Sequence, residues 1–278
     1  QVKLDIHRPM SYCDRLRIRQ AGDKSFTLEP HLEGGSTERW EDDEYRRVYS
    51  HILSGSWEKY DPFDATHRAE ARVKMHDASN GSCSIFRSFQ GWLSMSNGGK
   101  GLGALQLCPM VREAIAYVIL RPFAEDVPVD SFCGAKPMEN HNLLPQFHQP
   151  LLDGMVPIPD IGPGDAVFWH CDLVHAVESF HGGTEDSSAF YVPAVPLTKR
   201  SAEYAREQAA AFKKGDAPPD FPWSWAERDA APTMESLDDL GKVVMGLSAW
   251  PDYRREGESV EDFESSRHLR DSHKAFLT

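Results

Sequence analysis

The chain has 278 residues, 30 Lys and Arg against 43 Asp and Glu, and 40% hydrophobic residues. That length suits one large domain, or one domain with appendages, and carries enough apolar chain for a core. A formal charge of −13 argues against a nucleic-acid binder, and no run approaches the roughly 18 apolar residues of a membrane span.

The opening Gln1-Val2-Lys3-Leu4-Asp5 does not read as a signal peptide. Without an initiator Met, the chain is expected to be a processed or partial piece of something longer. Cys13, Cys83, Cys108, Cys133 and Cys171 are scattered and form no CxxC pair. An odd, scattered set predicts reduced thiols in a cytoplasmic protein, not a disulfide framework or a zinc knuckle.

Residues 12–20 alternate, with Leu16 and Ile18 on one face and Arg15, Arg17 and Arg19 on the other. Three arginines in that register predict a solvated or ion-paired face. After a turn at 21–24, a second strand over 25–32 puts Phe26 and Leu28 on one face and ends at Gly34-Gly35. A helical insertion over about 36–82 follows. Ser36 or Thr37 is its expected cap. Over 42–53, Tyr45, Val48, Tyr49, Ile52 and Leu53 recur at helical spacing, with Gly55 as the stop. A short segment over 65–75 starts from Asp61-Pro62.

The β pattern resumes at Ser82. Residues 84–97 are long for one strand and predict two, bent at Gly91. A strand at 104–108 follows, and 110–120 fits helix or strand. Residues 121–160 hold seven prolines and are expected to be irregular. Gly162-Pro163-Gly164-Asp165 turns into a strand over 166–170, with more strands at 173–177 and 189–197. From Lys199 the pattern turns helical, over 201–212, 236–247 and 260–276, with breaks at Pro218, Pro219 and Pro222. The expectation is a mainly β fold with flanking helices, a small barrel or jelly roll. Its core is 1–198, and a C-terminal helical extension, 199–278, packs on that core.

The sharpest local feature is Pro30-His31-Leu32-Glu33-Gly34-Gly35. On an extended strand residues i and i+2 face the same way. His31 and Glu33 then present two of the three ligands of a 2-His-1-carboxylate face, which suits non-haem Fe(II). A surface His beside a surface Glu is the plainer alternative. A third ligand must come from far along the chain. His175 is the best candidate, on a strand between Leu173, Val174, Ala176 and Val177, where an imidazole needs partners for its nitrogens. A core histidine bonded to a carbonyl would meet the same need. A rival set is His170 and Asp172, completed by His175 or His181; it ranks second, because four ligands so close together would strain short antiparallel strands. His170 otherwise orients a ligand from behind.

Several motifs resemble the YbiU-like family: Asp14-Arg15-Leu16-Arg17-Ile18-Arg19, the run from His31-Leu32-Glu33-Gly34-Gly35 to Trp40, and Tyr60-Asp61-Pro62-Phe63-Asp64. Phe86-Arg87-Ser88-Phe89-Gln90-Gly91-Trp92 and Trp169-His170-Cys171-Asp172-Leu173-Val174-His175 continue the likeness, which runs in order from about 12 to 198. More remotely, residues 164–175 look like the late strands of phytanoyl-CoA dioxygenase-type enzymes. Members of the YbiU-like family usually carry a longer helical N-terminal region.

The resemblance implies the double-stranded β-helix (jelly roll, cupin-like) of Fe(II)/2-oxoglutarate oxygenases. It implies His31, Glu33 and His175 as catalytic metal ligands, with Fe(II), 2-oxoglutarate and O2 as cofactor and co-substrates. Two departures stand out. Glu33 occupies the usual Asp position, one methylene longer but still an anionic oxygen ligand. Many relatives also carry an Arg about a dozen residues past the distal His; here 185–192 holds none, and Ser187-Ser188 stands there. The far carboxylate of 2-oxoglutarate then needs Arg87, Arg17 or Arg19, whose guanidinium can donate two parallel hydrogen bonds; Arg39 is a weaker candidate. Arg87 ranks first, because it sits in an otherwise apolar and aromatic stretch.

A carboxylate at position 33 leaves no halide site, which favours hydroxylation, desaturation or oxidative ring closure. Trp92, Trp169, Phe168, Phe190 and Tyr191 are cavity or core aromatics. Gln90 and Ser94 share a face with Trp92. The expected partner is a small polar metabolite, including an amino acid, and neither nucleic acid nor membrane. The alternatives are a non-oxidative metal-dependent isomerase or hydrolase, or a binding module without catalysis.

Overall fold

A computed structural model describes residues 3–25, 28–73, 75, 83–221 and 233–277. The described strands are β1 (Leu16–Arg19), β2 (Leu28–Leu32), β3 (Phe89–Ser94), β4 (Leu105–Leu107) and β5 (His141–Asn142). β6 (Val156–Pro157), β7 (Ala166–His170), β8 (His175–Val177) and β9 (Ser187–Tyr191) complete them. They form two antiparallel sheets, ordered β1-β9-β3-β7 and β5-β2-β8-β4-β6, with helices at their flanks. Phe26 and residues 74 and 76–82 of the expected insertion lie outside the described residues, as does Pro222.

The first sheet is built inside out. On β1, Leu16 and Ile18 are 51% and 62% exposed, while Arg15, Arg17 and Arg19 line the space between the sheets. The arginine face is therefore the interior one; of the two expectations for it, solvated or ion-paired, ion pairs are what form, Arg15 with Asp14 and Arg19 with Asp23. The space it meets is a cavity of mixed lining, with Glu33, Gln90 and Ser94 beside Leu105, Ile158 and Trp169. β3 keeps the same sense, with Gln90, Trp92 and Ser94 lining that cavity and Phe89 and Leu93 exposed. β3 is one unbroken strand through Gly91, not the two predicted to meet there. Gly91 pairs with Phe168 of β7, and the Phe168 ring fills the place a Cβ would occupy.

Apolar residues also line the cavity, where Ala104, Leu105, Ile158 and Trp169 cluster; the larger cores are separate from it. One gathers Leu32, Tyr49, Ile52 and the helix Val111–Leu120. That helix settles the ambiguity at 110–120, because Ala114, Ile115, Val118 and Ile119 recur at helical spacing and are buried. The stretch 42–53 is two short helices, Asp43–Val48 and Ser50–Leu53. They are preceded by Glu38–Glu41. The Asp42 carboxylate caps the first of the two by accepting from the Glu44 and Tyr45 N–H groups. Among its described residues, segment 65–75 holds one 3-10 turn, Arg68–Glu70. Residues 121–160 are less irregular than their prolines predict: β5, β6 and the helix Pro145–Asp153 lie there. Pro145 opens that helix, where its missing N–H costs nothing.

A second core joins Met10 and Tyr12 to Leu197, Tyr204, Trp250 and Leu269. Tyr204 belongs to the helix Lys199–Lys214, opened by a Thr198–Ser201 capping box and stopped by Gly215 at φ +74°. The later helices are shorter than predicted: Asp239–Val244, Val260–Ser265 and Arg267–Ala275. β9 starts earlier than predicted and stops before Pro193 and Pro196, which cannot donate to a ladder. The five cysteines are free thiols. Among the described residues no helix is long and apolar enough to cross a membrane.

Candidate metal centre

β2 and β8 pair antiparallel, with His31 directly opposite His175. The two imidazole centroids are 4.3 Å apart. Each ring is oriented by the carbonyl two residues before it. His31 Nδ1 lies 2.6 Å from Glu29 O, and His175 Nδ1 lies 2.9 Å from Leu173 O. A carbonyl only accepts, so each Nδ1 carries a hydrogen, and in the neutral ring the lone pair sits on Nε2. His31 Nε2 is buried and has no hydrogen-bond partner. A buried polar atom without a partner is costly, and a metal ion is one partner that satisfies it.

Glu33 follows β2 by one residue, just before the turn made by Gly34 and Gly35 at φ +82° and +96°. Its Oε1 lies 4.0 Å from His31 Nε2. His31, Glu33 and His175 offer ligand atoms all within 4.8 Å of one another. The other carboxylate oxygen, Oε2, accepts from Arg87 Nη2 at 3.0 Å and Gln90 Nε2 at 2.7 Å. Burial pushes the Glu33 carboxyl up, but Arg87, His175 and His31 outweigh it and bring it down to about 2. Burial, with His31 beside it, brings His175 down to about 4. At neutral pH the centre therefore holds a carboxylate and a neutral His175 imidazole, the protonation states that bind metal.

Arg39 ties the two ligand-bearing loops together. Its Nη2 donates to Glu33 O at 2.7 Å, its Nε to Gly35 O at 3.2 Å, and its Nη1 to Asp172 Oδ1 at 2.9 Å. Asp172 sits three residues before His175. Its Oδ2 faces Arg68 Nη2 at 2.6 Å and accepts from Tyr49 OH at 3.1 Å. Burial opposes the charge of Asp172, but Arg68 and Arg39 hold its carboxyl far below the usual range. Sequence reasoning missed this network, placing Arg39 only as a weak carboxylate clamp. The one signal for it was an Asp set in the apolar run around Leu173 and Val174.

The rival set does not assemble. Asp172 is taken by Arg39 and Arg68. His170 Nδ1 accepts from the Asp172 N–H, and its Nε2 lies 2.7 Å from Pro62 O. His170 thus orients the turn and touches no ligand side chain in these bonds. His181 Nε2 lies 2.8 Å from Glu185 O.

Between the sheets lies a cavity of about 640 Å³, lined by Glu33, His175 and the three arginines considered for the far carboxylate. Arg87 is held on Glu33. Arg19 donates to Glu178 O at 2.8 Å, Ser179 O at 3.0 Å, Gly103 O at 3.2 Å and Asp23 Oδ2 at 3.0 Å. Arg17 is half-buried, with its guanidinium 5.7 Å from the Tyr191 ring centroid. Trp92, Trp169, Tyr191, Gln90 and Ser94 line the cavity. Phe168 and Phe190 do not; they are 53% and 47% exposed, because their strand positions face outward.

The Gig2-like family model matches residues 1–247. YbiU of Escherichia coli (strain K12) is 36% identical over 241 residues, which is 85% of this chain and 56% of that protein. A Salmonella typhimurium LT2 structure, provisionally described as an oxidoreductase, is 34% identical with a TM-score of 0.81, covering 88% of this chain and 60% of that one. The product of GlcNAc Inducible Gene 2 from Candida albicans is 31% identical with a TM-score of 0.81, covering 98% of this chain and 63% of that one. The chain thus spans less than two thirds of each of these relatives. On the family match and the YbiU identity together, the chain belongs to the Gig2-like/YbiU family.

Proposed function

We propose that the protein is a non-haem Fe(II)/2-oxoglutarate-dependent oxygenase on a double-stranded β-helix, acting on a small polar metabolite. The observation that carries this reading is the His31–Glu33–His175 cluster, two Nε2 lone pairs and one carboxylate facing a common point. Two neutral nitrogens and one anionic oxygen are the donor set of the 2-His-1-carboxylate iron sites. The strand order supports the β-helix, since β1, β2, β3 and β4 fall alternately in the two sheets, as do β6, β7, β8 and β9. The oxidoreductase description of the Salmonella relative points the same way.

Bound iron would supply oxidation of a substrate C–H bond by O2, coupled to oxidative decarboxylation of 2-oxoglutarate to succinate and CO2. The protein supplies the rest. His31 and His175 are each oriented through Nδ1, which leaves Nε2 as the ligand atom. Glu33 stays ionised under Arg87. Arg17 is the guanidinium we assign to the far carboxylate, because it lines the cavity on β1 beside Ser188 and Ala189, on the strand that lacks the expected Arg. Trp92 and Trp169 give the cavity wall apolar surface.

The test is anaerobic. Fe(II) added to the protein, followed by 2-oxoglutarate, gives a weak visible charge-transfer band from chelation. Glu33→Ala and His175→Ala lose it. Absence of the band in the wild type, with iron shown to be bound, overturns the reading.

A further inference from the structure

We propose that Arg87 and Gln90 are positioning residues that hold Glu33 as a one-oxygen metal ligand. This rests on the metal reading above. A carboxylate beside a dication binds through one oxygen or chelates through both. Here the choice is made before any ion arrives. Oε2 is taken by two donors, Arg87 Nη2 at 3.0 Å and Gln90 Nε2 at 2.7 Å. Only Oε1 is turned towards His31 Nε2.

The clamp is rigid for identifiable reasons. Arg87 and Gln90 are 6% and 3% exposed, so neither swings into solvent. Arg87 precedes β3 and Gln90 lies on it, whereas Glu33 follows β2; the clamp therefore bridges the two sheets. A carboxylate oxygen accepts and never donates, so the Gln90 amide must turn its NH2 to Glu33. Its Oε1 is then left buried without a partner. Arg39 holds the same residue at its other end, through Glu33 O. Glu33 is pinned by backbone and side chain together.

Two consequences follow. A chelating Glu33 would close one of the open positions of a facial site, and the clamp keeps that position open. Arg87 also offsets the Glu33 charge. With two neutral imidazoles, a dication there keeps nearly its whole charge for an incoming dianionic ligand.

The experiment uses Co(II) as the probe, added to metal-free protein. Wild type, Gln90→Leu, Arg87→Met and Arg87→Lys are compared, with circular dichroism as the check on folding. The readouts are the Co(II) dissociation constant and the infrared splitting between the two carboxylate stretches, taken as metal-loaded minus metal-free difference spectra. Wild type gives the wide splitting of a one-oxygen ligand. In Gln90→Leu and Arg87→Met the splitting narrows towards the chelating pattern, and the dissociation constant rises about 10–100-fold, the usual cost of losing an outer partner. Arg87→Lys, which keeps a cationic donor, recovers the wild-type splitting. Folded variants with wild-type splitting and affinity overturn the proposal. If Arg87→Met does not fold, Gln90→Leu decides alone. Wild-type protein that binds no Co(II) removes the metal reading itself, a separate failure.

Discussion

His31 and His175 stand directly opposite each other on β2 and β8, and each donates its Nδ1–H to the carbonyl two residues earlier in its own chain segment. The same local device is used twice, and it frees the two Nε2 atoms on the same side. Alanine at either position should lower metal affinity by more than the roughly 100-fold seen at most for outer partners. Equilibrium dialysis with metal analysis measures this, with circular dichroism to show that the fold persists. Unchanged metal content in both variants would contradict the assignment.

Acid should destabilise the chain well before its carboxylates titrate. Burial, with a nearby histidine, holds His175 down to about 4 and His141 down to about 3; burial alone leads for His148, down to about 4. In the unfolded chain these rings protonate near 6.5. The folded state binds fewer protons across that window, so stability is full above 6.5 and is lost as the pH falls towards 4. Glu33, brought down to about 2 from 4.5, extends the loss in the same direction at lower pH. Urea midpoints taken from neutral pH down to about 4 should fall steadily; a flat profile would contradict the buried neutral histidines.

Arg19 and Arg17 share a face of β1 and should fail in different ways. Arg19→Met strands three backbone carbonyls and should cost at least about 3 kcal/mol in urea unfolding, since even one charged hydrogen bond contributes about 1.5–3 kcal/mol. Arg17→Met should instead raise the 2-oxoglutarate concentration needed for the chelation band by about tenfold or more, the loss of one charge-assisted bond. Equal stability losses with an unchanged band would contradict this division.

Gly91→Ala should destabilise by about 1–3 kcal/mol, the usual range for overpacking. Its Cβ would overlap the Phe168 ring and come within 2.9 Å of Val167 O. Phe168→Ala in the same chain should recover part of the loss, because the backbone approach remains. Full tolerance of Gly91→Ala in thermal unfolding would show that the strand gives way.

What could be read from the chain alone follows the range of each interaction. The His31-x-Glu33 spacing is a property of one extended segment, and His175 stood out as an imidazole among apolar neighbours. Tyr45, Tyr49 and Ile52 were legible as a buried helical stripe. The direction of the arginine face was not: alternation shows that Arg15, Arg17 and Arg19 share a side, but only the cavity between the sheets makes that side the inner one. The Gln90 and Arg87 bonds to Glu33 cross between two sheets, 57 and 54 residues apart. Arg87 drew attention for its apolar surroundings, which are equally those of a buried guanidinium paired with a ligand carboxylate. Arg39 and Asp172 meet across 133 residues, and no local pattern reports such a pair.

The most direct measurement is succinate formation from 2-oxoglutarate by Fe(II)-loaded protein after oxygen is admitted. The account predicts succinate with wild-type protein, even slowly without substrate, and none above the metal-free control with His175→Ala. Wild-type protein that holds its iron, meets oxygen and leaves 2-oxoglutarate intact would contradict it.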